Sequence, residues 1–496
     1  MDTVLQAMST PYSANQPKLI QTTLVCMLAI GLLISCGKEK YLAKPINSQH
    51  ITAKIFAKDP LSTDFKTYLI KQGYKNEAVP FKSWGINELT ASALYHHPKL
   101  DVDKAQLAYA NAQLESAGQR QNPTLSGSLA RSNQANGDIR PWAYGLNVEI
   151  PIETAGKRQI RLEQAQHLQE IARINVADSA WQLRSQISKD LLLYHQYIAQ
   201  QKLLQLEVDK YSEIINMLQK RVEVGALSNT EVIASKLLLQ AKINALAAEQ
   251  TKNQAVVASL ANDAGLTLEK FNQIPIGALA IETKLAQQTQ ALLPETFKSL
   301  QEKALLNRLD IRRGLEKYAV AETKIKLEVA KQTPDISITP GFIFDFGDKI
   351  WSLGFSSLLN LLNKNQTLIA EATQLREIEG AEFEALQANI IGNLSVAHIR
   401  FMAAQQQLAQ AKQLQATQQT YMQKLNKQFA AGALDRLALS QAALLAQLAD
   451  AQLQSSQFEV LNAAAEIENL MQHPIFDDGN GFDDGARFDD STRLTN

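Results

Sequence analysis

The residues of this 496-residue chain that could do chemistry do not form a catalytic or ligand-binding set. The seven histidines are scattered, apart from the adjacent His96 and His97, which we interpret as a loop pair before Pro98. No cysteine and histidine cluster has the spacing of a zinc site. Ala155-Gly156-Lys157-Arg158 lacks the upstream glycine and the following serine or threonine of a phosphate-binding loop. The sequence therefore predicts a chain that is not an enzyme and binds neither a metal nor a cofactor.

Both cysteines lie near the N-terminus, in or just after an apolar run. The run, Leu24–Ile34, is about a dozen residues long, the length of a signal-peptide core and too short for a membrane-spanning helix. Its end, Leu33-Ile34-Ser35-Cys36, resembles a bacterial lipobox, which implies a lipoprotein signal peptide over residues 1–35 and a covalent lipid on Cys36. Gly37 favours the outer membrane, since aspartate there would imply inner-membrane retention. An ordinary signal with an incidental cysteine is the alternative, and translation starts at either Met1 or Met8.

Long runs of helix-forming residues would position the shorter segments between them. Lys157 to Val222 contains neither glycine nor proline and would reach about 100 Å as a helix that rises about 1.5 Å per residue. A shorter run returns from Ser228 to Ala264. The same plan is repeated by Asn365 to Lys427 and by Asp435 to Met471. We therefore expect two long helical hairpins that pack as coiled coils.

A similar short sequence joins the two helices of each hairpin. The first is Gly225-Ala226-Leu227-Ser228 and the second is Gly432-Ala433-Leu434-Asp435. Glycine tolerates a left-handed helix end, and serine or aspartate is a preferred N-cap of the helix that follows. The sequence thus predicts hairpin tips at about 221–230 and 428–437.

The hydrophobic period changes from 3.6 to 2 ahead of each long run, which predicts strands at about 123–131, 141–150, 334–346 and 350–357. About ten residues is the length of a tilted strand that crosses a bilayer. A sheet in lipid must close, and four strands are too few, whereas three chains would supply twelve. A soluble sheet packed under the helices is the alternative. The residues predicted to face lipid are Trp142, Tyr144, Leu146, Val148, Ile150, Phe342, Phe344, Phe346, Trp351, Leu353 and Phe355.

Equivalent segments recur in the same order, which indicates an internal duplication. Lys99-Leu100-Asp101 is echoed by Arg308-Leu309-Asp310, Asn122-Pro123 by Thr333-Pro334, and Gly156-Lys157 by Asn363-Lys364. We divide the chain into a poorly regular lead-in (36–82), a first repeat (83–272), a linker (273–294), a second repeat (295–472) and a tail (473–496). The tail repeats Phe-Asp-Asp and is predicted to be disordered. With 49 basic and 50 acidic residues, the chain has no overall charge suited to nucleic acid.

This order of helices, strand hairpins and Gly-Ala-Leu tips behind a lipobox resembles the TolC-type outer-membrane efflux protein family over about residues 83–472. The resemblance implies a mostly α-helical fold with a small β part. The long coiled-coil hairpins would form a tunnel, and the four transmembrane β-strands of each chain would close as a 12-stranded barrel in a homotrimer. It also implies an outer-membrane channel that extends into the periplasm and works with a periplasmic adaptor (a membrane fusion protein) and an inner-membrane pump. The adaptor-docking set would be Arg221, Gly225, Ala226, Leu227, Ser228, Gly432, Ala433, Leu434 and Asp435, for which plain hairpin capping is the other interpretation.

Glu153-Thr154-Ala155-Gly156-Lys157-Arg158 is most similar to the heavy-metal cation branch of that family. The expected function is therefore a passive exit duct for heavy-metal cations. One alternative is a duct for drugs or other organic compounds. Another, of a different class, is a periplasmic adaptor or structural coiled-coil lipoprotein. Some family members close the tunnel with acidic rings beyond the second tip, but Asp435 is followed by no acidic residue before Asp450.

Overall fold

The computed structural model describes residues 41–133, 140–358, 363–472 and 474. The predicted signal peptide, Cys36, most of the turn between the first two strands and the acidic tail from residue 475 lie outside these described residues. The chain divides after Phe56 into two units. Within the first unit, the described residues contain one helix, α1 (Ser48–Phe56).

The second unit contains the predicted duplication. The segment before and within the first repeat forms α2 (Thr63–Lys71), α3 (Ile86–His96), α4 (Pro98–Ala117), β1 (Thr124–Arg131), β2 (Trp142–Ile152), α5 (Lys157–Glu223) and α6 (Asn229–Asp263). The remainder forms α7 (Leu268–Phe271), α8 (Ile281–Ala291), α9 (Pro294–Asn307), α10 (Leu309–Ala330), β3 (Ile336–Asp345), β4 (Asp348–Ser357), α11 (Gln366–Ala430) and α12 (Arg436–Met471). The predicted fold class, with two long helical hairpins and four strands, is confirmed.

The four strands form one antiparallel sheet in the order β1-β2-β3-β4. β2 and β3, which come from different repeats, pair directly, with Leu146 opposite Phe342 and Ile150 opposite Ile338. Directly opposed residues lie on the same face of a sheet, so this register aligns the apolar residues of all four strands. The sheet therefore joins the two repeats through its centre.

The helices α5 and α6 form the first hairpin, and α11 and α12 form the second. α5 is 67 residues long and α11 is 65, because no glycine or proline interrupts α5 and the glycines of α11 fall within an otherwise strong helix-forming run. α5 also packs against α12, and the buried pair Arg184–Glu468 joins them with an Nη1–Oε1 distance of 2.7 Å. The first hairpin is thus attached to the second along its length.

Two buried clusters hold the helices together where the repeats meet. One surrounds Trp84 and Trp181 and includes residues of α2, α3, α5 and α6. The other surrounds Phe401 and Phe458 of the second hairpin. Each cluster contains bulky side chains with about 1–2 % exposure, so both are true cores rather than surface stripes.

The segments on either side of the first repeat are more regular than the sequence predicts. The lead-in, expected to be poorly regular, contains α1 and α2, and α2 buries Phe65 and Leu69 in the first core. The linker contains α8, with Leu285 buried against the second core. These helices span only two or three turns, too few for a periodic pattern to stand out from a mixed sequence.

Three smaller expectations also need correction. Phe346 is not a strand residue: it lies in the turn after β3, with a φ of 49°. His96 is not in a loop but is the buried last residue of α3. The left-handed residue that precedes the long helix is Gly156 in the first repeat and Asn365 in the second, so the equivalent of Gly156 is Asn365 rather than Asn363.

Candidate functional site

The two hairpin tips have the same backbone geometry. In the first, the amide of Gly225 donates to the carbonyl of Val222 at 2.9 Å, and the amide of Ala226 donates to that of Arg221 at 2.8 Å. This pair of bonds is a Schellman motif, which requires a left-handed residue at its centre, and Gly225 has a φ of 71°.

The second tip repeats these bonds. Gly432 donates to Phe429 at 3.0 Å and Ala433 donates to Gln428 at 2.9 Å, while Gly432 has a φ of 73°. The next helix then begins at a side-chain cap in both tips. Ser228 Oγ accepts from the Thr230 amide at 3.3 Å, and Asp435 Oδ1 accepts from the Ala438 amide at 2.7 Å. The Gly-Ala-Leu sequence therefore closes both hairpins in one way.

Two ion pairs connect the tips to each other. Arg221, at the end of α5, donates from Nη2 to Oδ2 of Asp435 at 2.6 Å. Arg436, the first residue of α12, reaches Glu213 of α5 at 3.2 Å. Both pairs cross from one hairpin to the other, so they link the two tips. Glu213 and Arg436 were not predicted, because no local pattern indicates that residues so far apart in sequence face each other.

Asp435 serves both as a helix cap and as an ion-pair partner. The hydrogen bond from the Ala438 amide, followed by that from Arg221, holds the pKa of its carboxyl below the ordinary value of 3.8. The side chain is 51 % exposed, so water and salt screen the ion pair. The helix cap therefore contributes more to the stability of the tip than the ion pair with Arg221 does.

Apolar contacts between α5, α6 and α12 stabilise the tips. Ile214, Ile215 and Leu218 of α5 pack with Val232 of α6 and Leu437 of α12 in a small buried cluster. Leu227 packs against this cluster, whereas Gly225, Ala226, Gly432 and Ala433 remain exposed. No atom lies within 4 Å of the position that a Cβ would occupy at either glycine. The glycine and alanine residues of both tips are therefore exposed, and the Arg221–Asp435 pair links one tip to the other.

The sheet has one apolar face and one polar face. Ten of the eleven residues predicted to face lipid share one face, and Phe346 in the turn is the exception. On β4, Trp351 is 82 % exposed and Phe355 is 86 % exposed. Phe344 is instead covered within the chain, by Tyr144 with ring centroids 4.9 Å apart and by the Arg140 guanidinium 5.9 Å away. The opposite face carries mainly small and polar residues, together with the cross-strand pair Ile343 and Ile350; the polar ones include Ser126, Ser128, Asn147, Ser337, Thr339 and Ser352.

The segment Glu153–Arg158 forms a junction between the repeats. The amide of Thr154 donates to Oδ1 of Asp335 at 2.9 Å, and Lys157 Nζ donates to the same oxygen at 2.7 Å and to the Thr333 carbonyl at 2.6 Å. Burial acts to raise the pKa of Asp335, but the bonds from Lys157 and Thr154 outweigh it and hold that pKa below the ordinary value. These contacts tie the start of α5 to the start of β3. Sequence reasoning identified the segment but missed Asp335, its main partner.

Two features are absent from the described part of the chain. Residues 41–133, 140–358, 363–472 and 474 contain no group of three or more histidine, cysteine, aspartate or glutamate side chains placed to hold a metal ion. Within those residues, no helix combines the length and the apolar character that a membrane-spanning helix needs.

Comparison with known proteins agrees with this geometry. Residues 89–265 match the family described as outer membrane efflux protein (OEP). The match covers the first repeat from α3 to the end of α6. No curated protein sequence matches the chain significantly.

Solved outer-membrane channels share the fold over most of the chain. The outer membrane protein VceC of Vibrio cholerae superposes with a TM-score of 0.62 at 15% identity, covering 79% of this chain and 97% of that one. CusC gives 0.62 at 14% identity, covering 88% and 99%. The CmeC outer membrane channel of Campylobacter jejuni gives 0.61 at 13% identity, covering 93% and 98%. The chain therefore has the OEP channel fold, with a helical part and a β part.

Proposed function

We propose that this chain forms the outer-membrane channel of a tripartite efflux system. Three copies form a passive exit duct that crosses the outer membrane and extends through the periplasm. An inner-membrane pump and a periplasmic adaptor deliver the cargo to its helical end. The duct is not an enzyme, because its task is to hold an aqueous path open while the pump supplies the energy.

The exposed apolar face of the sheet is the observation that carries this proposal. Trp351, Leu353 and Phe355 lie in one row on β4, each more than 70 % exposed. Monomeric soluble proteins rarely expose a contiguous apolar patch of this kind, whereas a sheet in lipid must present one. The polar residues on the other face suit a water-filled lumen.

The trimer follows from the edges of the sheet. β1 and β4 are its two edge strands, and each has one neighbour within the chain. Open edges are not tolerated in lipid, because unpaired amides and carbonyls there cost several kcal/mol each. Pairing of β4 with β1 of the next copy closes a ring, and three copies give the expected twelve strands.

The tips are proposed as the adaptor-docking surface and as the periplasmic end of the duct. Their exposed glycine and alanine residues allow a partner helix to approach the backbone closely. The ion pairs Arg221–Asp435 and Arg436–Glu213 would hold the two tips of each chain together in the closed duct. Opening would separate them, because each pair joins one hairpin to the other.

Anchoring is proposed to involve a covalent lipid on Cys36. The support is the lipobox-like sequence before this residue, together with Gly37 after it. Metabolic labelling with a fatty-acid analogue tests this directly, since a Cys36→Ser variant should lose the label while the wild-type chain keeps it.

Heavy-metal cations are the proposed cargo, on the resemblance of Glu153–Arg158 to the heavy-metal branch. In the structure this segment joins the repeats. Its similarity to the heavy-metal branch therefore supports a common ancestry with that branch, and is not an argument that these residues contact the cargo. A strain lacking the gene should be sensitive to one or more of zinc, cadmium, cobalt, nickel, copper and silver salts. Restoring the gene should restore growth. Sensitivity to dyes, detergents and antibiotics alone would instead assign the duct to organic compounds.

A further inference from the structure

A buried pair of carboxyl groups lies where the return helix of the first hairpin ends. Asp190 of α5 and Asp263, the last residue of α6, are 4% and 8% exposed. Neutral groups donate to them. The Ser259 hydroxyl donates to Asp190 at 2.5 Å, the Gln186 amide donates to Asp190 at 3.0 Å, and the Asn262 amide approaches Asp263 at 3.5 Å. The pair is therefore buried between the helices with no cation among these donors.

Asp263 lies one turn beyond Ser259 on α6, and its Oδ2 atom is buried with no hydrogen-bond donor among the described residues. Burial, then the charge of Asp190 and a hydrogen bond shared with it, raises the pKa of Asp263 to about 6. Two carboxyl groups can share a hydrogen bond only when one of them is protonated. Asp263 is also at the C-terminal end of a long helix, where the helix dipole disfavours a negative charge.

The ionisable groups on the neighbouring helices are engaged in other ways. Gly265 abuts the backbone of His96 on α3, and burial and the nearby Lys58 lower the pKa of that histidine to about 4, so it is neutral. Lys58 Nζ donates to the His96 carbonyl. Lys270, on α7, pairs with Asp59 at 3.3 Å. Within the described residues, no lysine, arginine or histidine is among the groups that shift the pKa of Asp263.

We propose that Asp190 and Asp263 share a proton and form a pH-sensitive lock between α5 and α6. When the proton is present, the hydrogen bond between the carboxyl groups holds the end of α6 against α5. When it is lost, two like charges face each other beside the first core, and this end of the helix opens more readily. The lock belongs to the hairpin itself, so it goes beyond the proposed export function and does not depend on the cargo or the adaptor.

The direction of the effect follows from the raised pKa. The lock contributes its full stability below the ordinary pKa of 3.8 and loses it as the pH rises through about 6. Between about pH 5 and about pH 7.5, a group with these two pKa values changes the local opening equilibrium by about tenfold.

Hydrogen exchange of the full chain in detergent micelles tests the proposal. Exchange is measured at about pH 5 and about pH 7.5, corrected for the intrinsic pH dependence of amide exchange. The end of α6, residues 255–263, should open about tenfold more readily at the higher pH. Asp263→Asn, which imitates the protonated side chain, should remove this difference. Asp190→Asn, which removes the repulsion from the other side, should reduce it.

A control variant on the same helix separates the lock from a general pH effect. Asp209 of α5 accepts from Gln205 at 2.9 Å, as Asp190 does from Gln186, but Asp209 is exposed. Asp209→Asn should keep the wild-type pH dependence. The proposal is overturned if the wild-type helix end shows no pH dependence, or if both the Asp263 and Asp190 variants retain all of it. Neither result would bear on export, so the proposed function is tested separately.

Discussion

Substitution of Asp435 should separate the two roles of this residue at the second hairpin tip. Alanine removes both the cap on the Ala438 amide and the ion pair with Arg221. Serine keeps a capping oxygen but removes the charge. Loss of a cap costs about 1 kcal/mol, and loss of a half-exposed ion pair costs about 0.5 kcal/mol. The tip should therefore open about tenfold more readily in Asp435→Ala and about twofold more readily in Asp435→Ser, since about 1.4 kcal/mol corresponds to a factor of ten.

Hydrogen exchange at the first turns of α12 measures these changes. Ser228→Ala is the matched control, because it removes the corresponding cap from the first tip, where Ser228 makes no ion pair in the described structure. It should increase exchange at the start of α6 and leave α12 unchanged. Salt of about 1 M shortens the screening length to about 3 Å and should abolish the difference between wild type and Asp435→Ser.

The pH dependence of the same tip has a defined sign. Because the pKa of Asp435 is lowered, its contribution is present above the ordinary value of 3.8 and is lost as the pH falls through the lowered pKa. These two roles of Asp435 would be contradicted if the serine variant opened as readily as the alanine variant, or if opening of the tip, corrected for intrinsic amide exchange, changed with pH near neutrality.

Three further predictions concern the sheet, the junction and the packing between hairpins. Phe355→Arg places a charge on the apolar face at a cost of up to about 2–4 kcal/mol, and should prevent recovery of a heat-resistant oligomer from outer membranes, whereas Ser356→Arg on the opposite face should not. Lys157→Met removes the ammonium group that donates to Asp335 and should lower the thermal unfolding midpoint of the purified protein, corresponding to about 1–2 kcal/mol. Glu468→Leu removes the carboxylate that pairs with the buried Arg184 and should cost about 3–5 kcal/mol, while Glu466→Leu, which breaks an exposed pair, should cost less than about 1 kcal/mol in the same unfolding assay.

The hairpins and strands could be predicted because their signals are local. A glycine followed by a capping residue specifies a tip, and Gly225 and Gly432 adopt the left-handed conformation that this pattern requires. The alternation of Trp142, Tyr144 and Leu146 likewise specifies one face of β2. These signals depend only on neighbouring residues, so a single sequence reveals them.

Contacts between the repeats could not be predicted in the same way. Arg221 and Asp435, or Thr154 and Asp335, are far apart in sequence and meet only because the second repeat packs against the first. The covering of Phe344 by Arg140 also depends on how the strands pair. A pattern along one strand or helix carries no information about which residue of another element it meets.

The short helices were missed for a different reason. The buried pair Phe65 and Leu69 has helical spacing, but α2 is only 9 residues long and is surrounded by lysines. Its stability comes mainly from packing against Trp84 and its neighbours rather than from its own propensity. The sequence signal is correspondingly weak.

The stoichiometry of the protein extracted from outer membranes tests the central claim most directly. Membranes are first washed with high salt and alkali, then extracted with a mild detergent, and the mass of the extracted complex is measured by native mass spectrometry. Channel assembly predicts that the chain resists the washes and appears in detergent at three times the mass of the mature chain. A chain that leaves the membrane without detergent, or that is monomeric after extraction, would contradict the trimeric outer-membrane duct.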